Sequence, residues 1–74
     1  MNQAELLGEL ADILGATAPL TPETPLEAPL TWDSMALLAY LAFLRFRFNI
    51  TLPGTSCAAF RTVADLLAPI PKEP

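Results

Sequence analysis

The sequence predicts an all-α domain: a small four-helix bundle of three longer helices and one short one, with a long loop between helices 1 and 2. Three observations predict it: apolar residues recur at helical spacing near the N-terminus, a long apolar run contains no Gly or Pro, and a capped apolar segment precedes a proline near the C-terminus. The 74 residues, 53% hydrophobic and 16% charged, are enough for one domain stabilised by apolar burial. We therefore expect residues 1–74 to form a single domain.

The first helix is predicted over residues 2–14. Its leucines and isoleucine recur at three- and four-residue spacings, and acidic residues fall between them. Gly15 follows the last of these leucines, and glycine readily adopts the left-handed conformation that ends many helices. This segment is therefore an amphipathic helix with one apolar face.

Residues 16–33 are interrupted by prolines at positions 19, 22, 25 and 29. Each proline removes a backbone donor and restrains the residue before it, so we predict a long connection with at most one helical turn, near Thr21. We expect Leu20, Leu26 and Leu30 to hold this connection against the core. A loop of such length in a small domain usually has a functional role.

The second helix is predicted from Ser34, as its N-cap, to about Phe48, because no Gly or Pro interrupts this run. Residues 35–44 carry no charge at all. Such a helix is either buried on several sides or presents an apolar face to a partner.

The C-terminal third is predicted to contain two further helices. An extended stretch over residues 50–52 ends at Pro53, and a short helix covers residues 55–60. The last helix begins after Thr62, as its cap, and ends before Pro69. Residues 71–74 form a tail that we expect to be frayed.

The residue inventory argues against an enzyme or a metal protein. The chain has no histidine and one cysteine, whereas neutral-pH acid–base catalysis usually recruits histidine and zinc sites need several Cys or His ligands. The lone Cys57 is typical of a small buried side chain in a reducing compartment. The net charge of −4 argues against a nucleic-acid partner, which requires a basic surface.

Targeting and membrane signals are also absent from the sequence. The N-terminus lacks a basic region followed by an apolar run, and the apolar run at residues 35–44 is about half the ~20 residues of a membrane-spanning helix. We therefore expect a cytoplasmic protein with no membrane partner.

The motif Trp32-Asp33-Ser34-Met35 lies where the long loop meets the second helix. Here the chain resembles the acyl carrier protein family, which includes the peptidyl carriers and has Asp-Ser-Leu at this junction. An isolated Asp-Ser-Met would indicate only a helix cap, but the resemblance covers essentially the whole chain. It continues in register at Phe48, Ile50-Thr51-Leu52-Pro53, Thr62-Val63-Ala64-Asp65-Leu66 and Ile70.

The resemblance implies that a separate transferase moves 4′-phosphopantetheine from coenzyme A onto the Ser34 hydroxyl. The protein would then carry an acyl or aminoacyl group as a thioester between a loading enzyme and a downstream synthase or transferase. Such a protein is not itself an enzyme, and we expect a monomer. We expect a discrete carrier in a specialised polyketide, fatty-acyl or nonribosomal-peptide pathway, and the sequence leaves the choice among these three open.

The resemblance also gives roles to the residues beside Ser34. Asp33 would help the transferase engage, although its charge also favours the helix dipole, and Met35 replaces the usual leucine with little change in volume. Trp32 lies either near the arm or at the edge of the core. The N–H groups at a helix start suit the phosphodiester anion formed by modification.

One departure from the family concerns partner docking. Fatty-acid carriers have acidic residues along the exposed side of the second helix, whereas this helix has alanines, aromatic residues and two arginines. We hypothesise that a partner docks mainly through apolar contact, with acidic groups opposite the arginines, although each apolar side chain could instead lie inside. The candidate docking residues are Ala36, Ala39, Tyr40, Phe43, Arg45 and Arg47.

Two other classes compete with the carrier interpretation. An unmodified helical interaction module would use the apolar second helix as a binding surface, and Ser34 would then be only a cap. A membrane-associating amphipathic protein is disfavoured because few Lys or Arg residues lie near the apolar run.

Overall fold

The computed structural model describes residues 2–71 and is all-α over that range, as predicted. Helix α1 covers Gln3–Leu14, α2 covers Ser34–Phe48, and α3 covers Val63–Leu67. A 3₁₀ turn, Gly54–Cys57, lies between α2 and α3. The expectation of a frayed tail covers residues 71–74, of which residues 72–74 lie outside the described range.

The number of helices differs from the predicted four. The segment expected to form a short helix over residues 55–60 is a 3₁₀ turn up to Cys57 instead, and its hydrogen bonds join residues three apart, as from Ala58 N to Thr55 O. Helix α3 has only five residues, so it is not one of the longer helices. Among residues 2–71, no helix is long and apolar enough to cross a membrane.

Helix α1 begins one residue later than predicted, because Asn2 is its cap, and ends at Leu14 as predicted. The side chain of Asn2 accepts a hydrogen bond from the Glu5 amide at 2.8 Å and caps the helix start. Gly15 adopts a left-handed conformation, φ 67°, and its amide donates to the Ala11 carbonyl. The helix buries a leucine face against the rest of the bundle, formed by Leu6, Leu10 and Leu14.

Tyr40 of α2 lies at the centre of the core and is completely buried. Its hydroxyl donates to the Leu66 carbonyl at 2.7 Å and so joins α2 to α3. The rings of Trp32 and Phe60 lie edge-on to it, with centroids at 6.1 and 6.3 Å. Burial raises the pKa of Tyr40, so its hydroxyl remains a neutral donor. The residues packed in the same core include Leu10, Leu14, Leu44, Cys57, Val63, Leu66 and Ile70.

The segment between α1 and α2 is bound to the start of α3 by backbone hydrogen bonds. The Leu26 amide donates to the Arg61 carbonyl at 2.8 Å. The first two amides of α3, from Val63 and Ala64, donate to loop carbonyls at 2.9 and 2.8 Å. Leu20 is buried, and Leu26 and Leu30 pack against the core, as predicted. The loop therefore supplies acceptors that a five-residue helix cannot supply for itself.

Candidate functional site

The N-cap of α2 is Asp33, and the prediction that Ser34 is the cap was wrong. Asp33 has an extended backbone, φ −132°, and its Oδ1 accepts a hydrogen bond from the Ala36 amide at 3.0 Å. Its carbonyl accepts the first hydrogen bond of the helix, from Leu37 N. Ser34 is therefore the first residue inside the helix.

The hydroxyl of Ser34 is open to modification. Ser34 is exposed, and its hydroxyl makes no hydrogen bond with any residue in the described range 2–71. The amides of Ser34 and Met35 likewise have no backbone acceptor among those residues, as expected for the first turn of a helix. A phosphodiester on this oxygen would lie beside two available donors and the positive end of the helix dipole. The site therefore fits a phosphate-linked prosthetic group.

The residues on either side of this serine differ in their packing. Met35 is 72% exposed, so its thioether lies on the surface beside the Ser34 hydroxyl. Trp32 is half-buried and packs edge-on against Tyr40, which places it at the edge of the core. The Thr31 amide donates to the Leu14 carbonyl at 3.0 Å, so the end of the loop is fixed to α1 just before the site.

Two of the predicted docking residues are not available to a partner. Ala36 is 4% exposed and Tyr40 is completely buried, because both lie on the side of α2 that packs into the bundle. The proposal that they contact a partner was wrong for this reason. Ala39 and Arg45 are exposed, and Phe43 is half-buried.

The two arginines of α2 have different surroundings. Arg47 lies 3.5 Å from the Glu9 carboxylate of α1, and its guanidinium stands 6.0 Å from the centroid of the Phe43 ring. Arg45 is exposed and donates to the side chain of Asn49, the C-cap residue of α2. Arg47 therefore contacts α1, whereas the hydrogen bond of Arg45 stays at the end of its own helix.

A continuous apolar surface follows the exposed side of α2 from the modification site towards Arg45. We call it the apolar stripe; it comprises Met35, Leu38, Ala39, Ala42 and Phe46. Leu38 is 61% exposed and Phe46 is 86% exposed, which is unusual for side chains of this size.

Sequence reasoning missed Leu38 and Ala42 and did not name Phe46 as a docking residue. A signal was present, because residues eleven apart lie on nearly the same side of an α-helix. Ser34 must be exposed to be modified, and Arg45 is a charged residue eleven positions later. The line between them passes through Leu38 and Ala42.

A comparison with protein-family models identifies the family of this chain. The family model for the phosphopantetheine attachment site matches residues 4–70, and the chain therefore belongs to that family. Its members carry 4′-phosphopantetheine covalently on a serine. They are non-catalytic carrier domains that work with a phosphopantetheinyl transferase and partner synthase enzymes. The comparisons with curated proteins and with solved structures found no significant match.

Proposed function

We propose that residues 1–74 form a single carrier domain whose attachment serine is Ser34. The observation that carries this proposal is the exposed hydroxyl at the first residue of α2, free of hydrogen bonds to residues 2–71. The terminal thiol of the prosthetic group holds an acyl or aminoacyl cargo as a thioester. A specialised polyketide, fatty-acyl or nonribosomal-peptide pathway in the cytoplasm is the setting we propose, and the free thiol of Cys57 suits such a reducing compartment.

The chain has only one other serine, Ser56, and its surroundings suit a phosphodiester less well. Ser56 lies inside the 3₁₀ turn of four residues, and its amide already donates to the Pro53 carbonyl at 3.0 Å. Ser34 instead begins a helix of fifteen residues, whose aligned peptide dipoles favour an anion at this end. The comparison of the two serines therefore favours Ser34.

The role of the chain in the modification step is to present an oxygen. The Ser34 hydroxyl oxygen forms a new bond to the phosphorus that bears the pantetheine arm. The bridging P–O bond of the coenzyme A diphosphate breaks, and the nucleotide part leaves with the bridging oxygen. Asp33 holds the helix start in place through its bond to the Ala36 amide, so the hydroxyl is presented on a rigid element. The serine proton passes to a base of the transferase.

Intact-mass measurement tests the assignment directly. The purified protein is incubated with coenzyme A and a broad-specificity phosphopantetheinyl transferase, in parallel with Ser34→Ala and the matched control Ser56→Ala. We expect one phosphopantetheine unit on the wild type and on Ser56→Ala, and none on Ser34→Ala. Circular dichroism is used to check that both variants are folded. We expect them to be folded because both positions are exposed. If Ser34→Ala were still modified, the attachment site would be a residue other than Ser34. If none of the three proteins were modified, the result would favour the unmodified interaction module.

We further propose that partner enzymes dock on the apolar stripe, with an acidic group opposite Arg45. The stripe begins beside Ser34, so an enzyme that acts on the arm must approach this side of α2. Burying an exposed side chain as large as Phe46 in an interface contributes about 1.5–3 kcal/mol to the free energy of binding. A contribution of this size is enough to determine whether a partner binds. Arg47 is excluded from this proposal because it already lies against Glu9.

The transferase itself serves as the probe for docking. We expect Phe46→Gln to lower kcat/KM for phosphopantetheine transfer by about tenfold, the equivalent of ~1.4 kcal/mol. Arg45→Glu should lower it several-fold, and the effect should weaken at high salt. The matched control is Arg61→Glu, which reverses an exposed charge outside α2. Rates within twofold of the wild type for both α2 variants would refute docking through the stripe.

A further inference from the structure

A groove of about 150 Å³ lies on the loop between α1 and α2. Eight of its eleven lining residues are apolar, and neither Lys nor Arg contributes to the lining. The apolar lining residues include Ala16, Ala18, Ala28 and Leu30. The one charged residue in the lining is Glu27, which is exposed. The groove is thus an apolar surface with a single negative charge.

This groove is within reach of a group tethered to Ser34. Leu30 lines the groove and lies four residues before Ser34, so their Cα atoms are at most about 14 Å apart. The hydrogen bond from Thr31 N to Leu14 O holds that part of the loop beside the end of α1, where Ala16 lines the same groove. Thirteen covalent bonds separate phosphorus from sulfur in phosphopantetheine, about 16 Å when extended with ordinary bond lengths. The arm is therefore long enough to deliver its cargo.

The interior between α2 and α3 is a poorer place for a cargo. Tyr40 fills it, with no exposed area and a hydrogen bond to the Leu66 carbonyl at 2.7 Å. An entering group would have to displace this side chain and leave a buried carbonyl unpaired. The loop groove requires no such displacement. Tethering also gives a cargo a millimolar effective concentration at nearby surfaces, so a weak site suffices.

We infer that the loop groove binds the apolar end of a short, uncharged acyl cargo held on Ser34. This inference rests on the proposed carrier function and adds a cargo class to it. An apolar cavity of about 150 Å³ holds a group about the size of benzene, so a chain of roughly six carbons is the matching length. A cargo ending in a carboxylate, such as a malonyl group, is excluded by desolvation in the apolar lining and by repulsion from Glu27.

Nuclear magnetic resonance on loaded protein tests the inference. The transferase attaches hexanoyl-, acetyl- or malonyl-phosphopantetheine from the corresponding coenzyme A thioesters, and intact mass verifies complete loading of each sample. We expect cross-relaxation between the end of the hexanoyl chain and the methyl groups of Ala18, Ala28 and Leu30. The malonyl form should show none, and its groove resonances should match those of the unacylated arm.

Two matched substitutions locate the binding surface. Ala18 and Ala68 are both exposed alanines that precede a proline, but only Ala18 lines the groove. We expect Ala18→Phe to abolish the hexanoyl contacts and Ala68→Phe to retain them. In fully loaded protein, contacts to Met35 and Leu38 or to Tyr40, or no contacts at all, would overturn the groove assignment and leave the carrier function standing. Failure to load Ser34 would overturn both.

Discussion

Replacing Tyr40 with phenylalanine tests how strongly the buried hydroxyl joins the site-bearing helix to α3. The substitution keeps the ring and its edge-on neighbours but removes the donor to the Leu66 carbonyl. Among residues 2–71 no backbone amide outside α3 donates to that carbonyl, and the Ile70 amide, four residues later, donates to the Leu67 carbonyl. A buried acceptor left unpaired costs about 1–3 kcal/mol. A domain of this length is expected to have an unfolding free energy of only about 4–11 kcal/mol.

The loss should be readily measured by urea and thermal unfolding. For a domain of this size, a loss of about 2 kcal/mol lowers Tm by roughly 8–16 °C. Trp32 lies 6.1 Å from Tyr40, so its fluorescence reports on the same region, and circular dichroism reports on the helices. Phe46→Leu is the control, because it changes an exposed ring and should stay within about 0.5 kcal/mol of the wild type. A loss of unfolding free energy below about 0.5 kcal/mol for Tyr40→Phe would refute the reasoning.

The same residue predicts a response to alkaline pH. Burial raises the pKa of Tyr40 above its unfolded value of 10.0, so the unfolded chain loses this proton first. The resulting stability is fully present below pH ~10 and is lost as the pH rises towards the folded pKa. The unfolding free energy of the wild type should therefore fall above pH ~10, and that of Tyr40→Phe should fall less steeply.

Two further predictions concern the glycines of α1 and the start of α3. Gly8 lies inside α1 and Gly15 ends it in a left-handed conformation, and a Cβ would meet nothing within 4 Å at either position. Gly8→Ala should raise the unfolding free energy by about 0.5–1 kcal/mol because glycine disfavours a helix interior, whereas Gly15→Ala should lower it by about 1 kcal/mol because alanine disfavours the left-handed conformation. Equal effects in denaturant titrations would contradict this contrast. The carboxylate of Asp65 accepts hydrogen bonds from the amides of Arg61 and Thr62, which lower its pKa. Its contribution is present above the unfolded pKa near 4 and is lost as the pH falls through the folded value, so Asp65→Asn should be less stable at pH 7 and approach the wild type in acid. A difference that persists unchanged at pH 2 would contradict this origin.

The sequence predicted those features that depend on local chemistry. Proline spacing excluded a helix from the first loop, and periodic leucines with Gly15 predicted α1 to within one residue at its start and correctly at its end. The cap of α2 was misassigned because Asp33 and Ser34 are adjacent and both residue types favour this position. The choice between them depends on one backbone conformation, which composition does not determine.

The orientation of α2 could not be obtained from periodicity. Residues 35–44 are all uncharged, so the pattern lacks the polar–apolar contrast that normally identifies the buried side. Ala36 and Tyr40 were therefore included among the candidate docking residues, although packing buries them. The groove could not be predicted either, because two stretches of an irregular loop form it and no sequence pattern indicates that they lie side by side.

The hydrogen bonds between the first loop and α3 have a consequence for how the chain folds. They join Thr24 to Val63 and Pro22 to Ala64, which are pairs far apart along the chain, and forming such pairs requires a large loop to close. A helix of five residues is too short to persist in water by itself. We therefore expect α3 to appear late, only after the first loop has settled against the core. Its amides should then exchange with solvent in the same opening event as those of the loop.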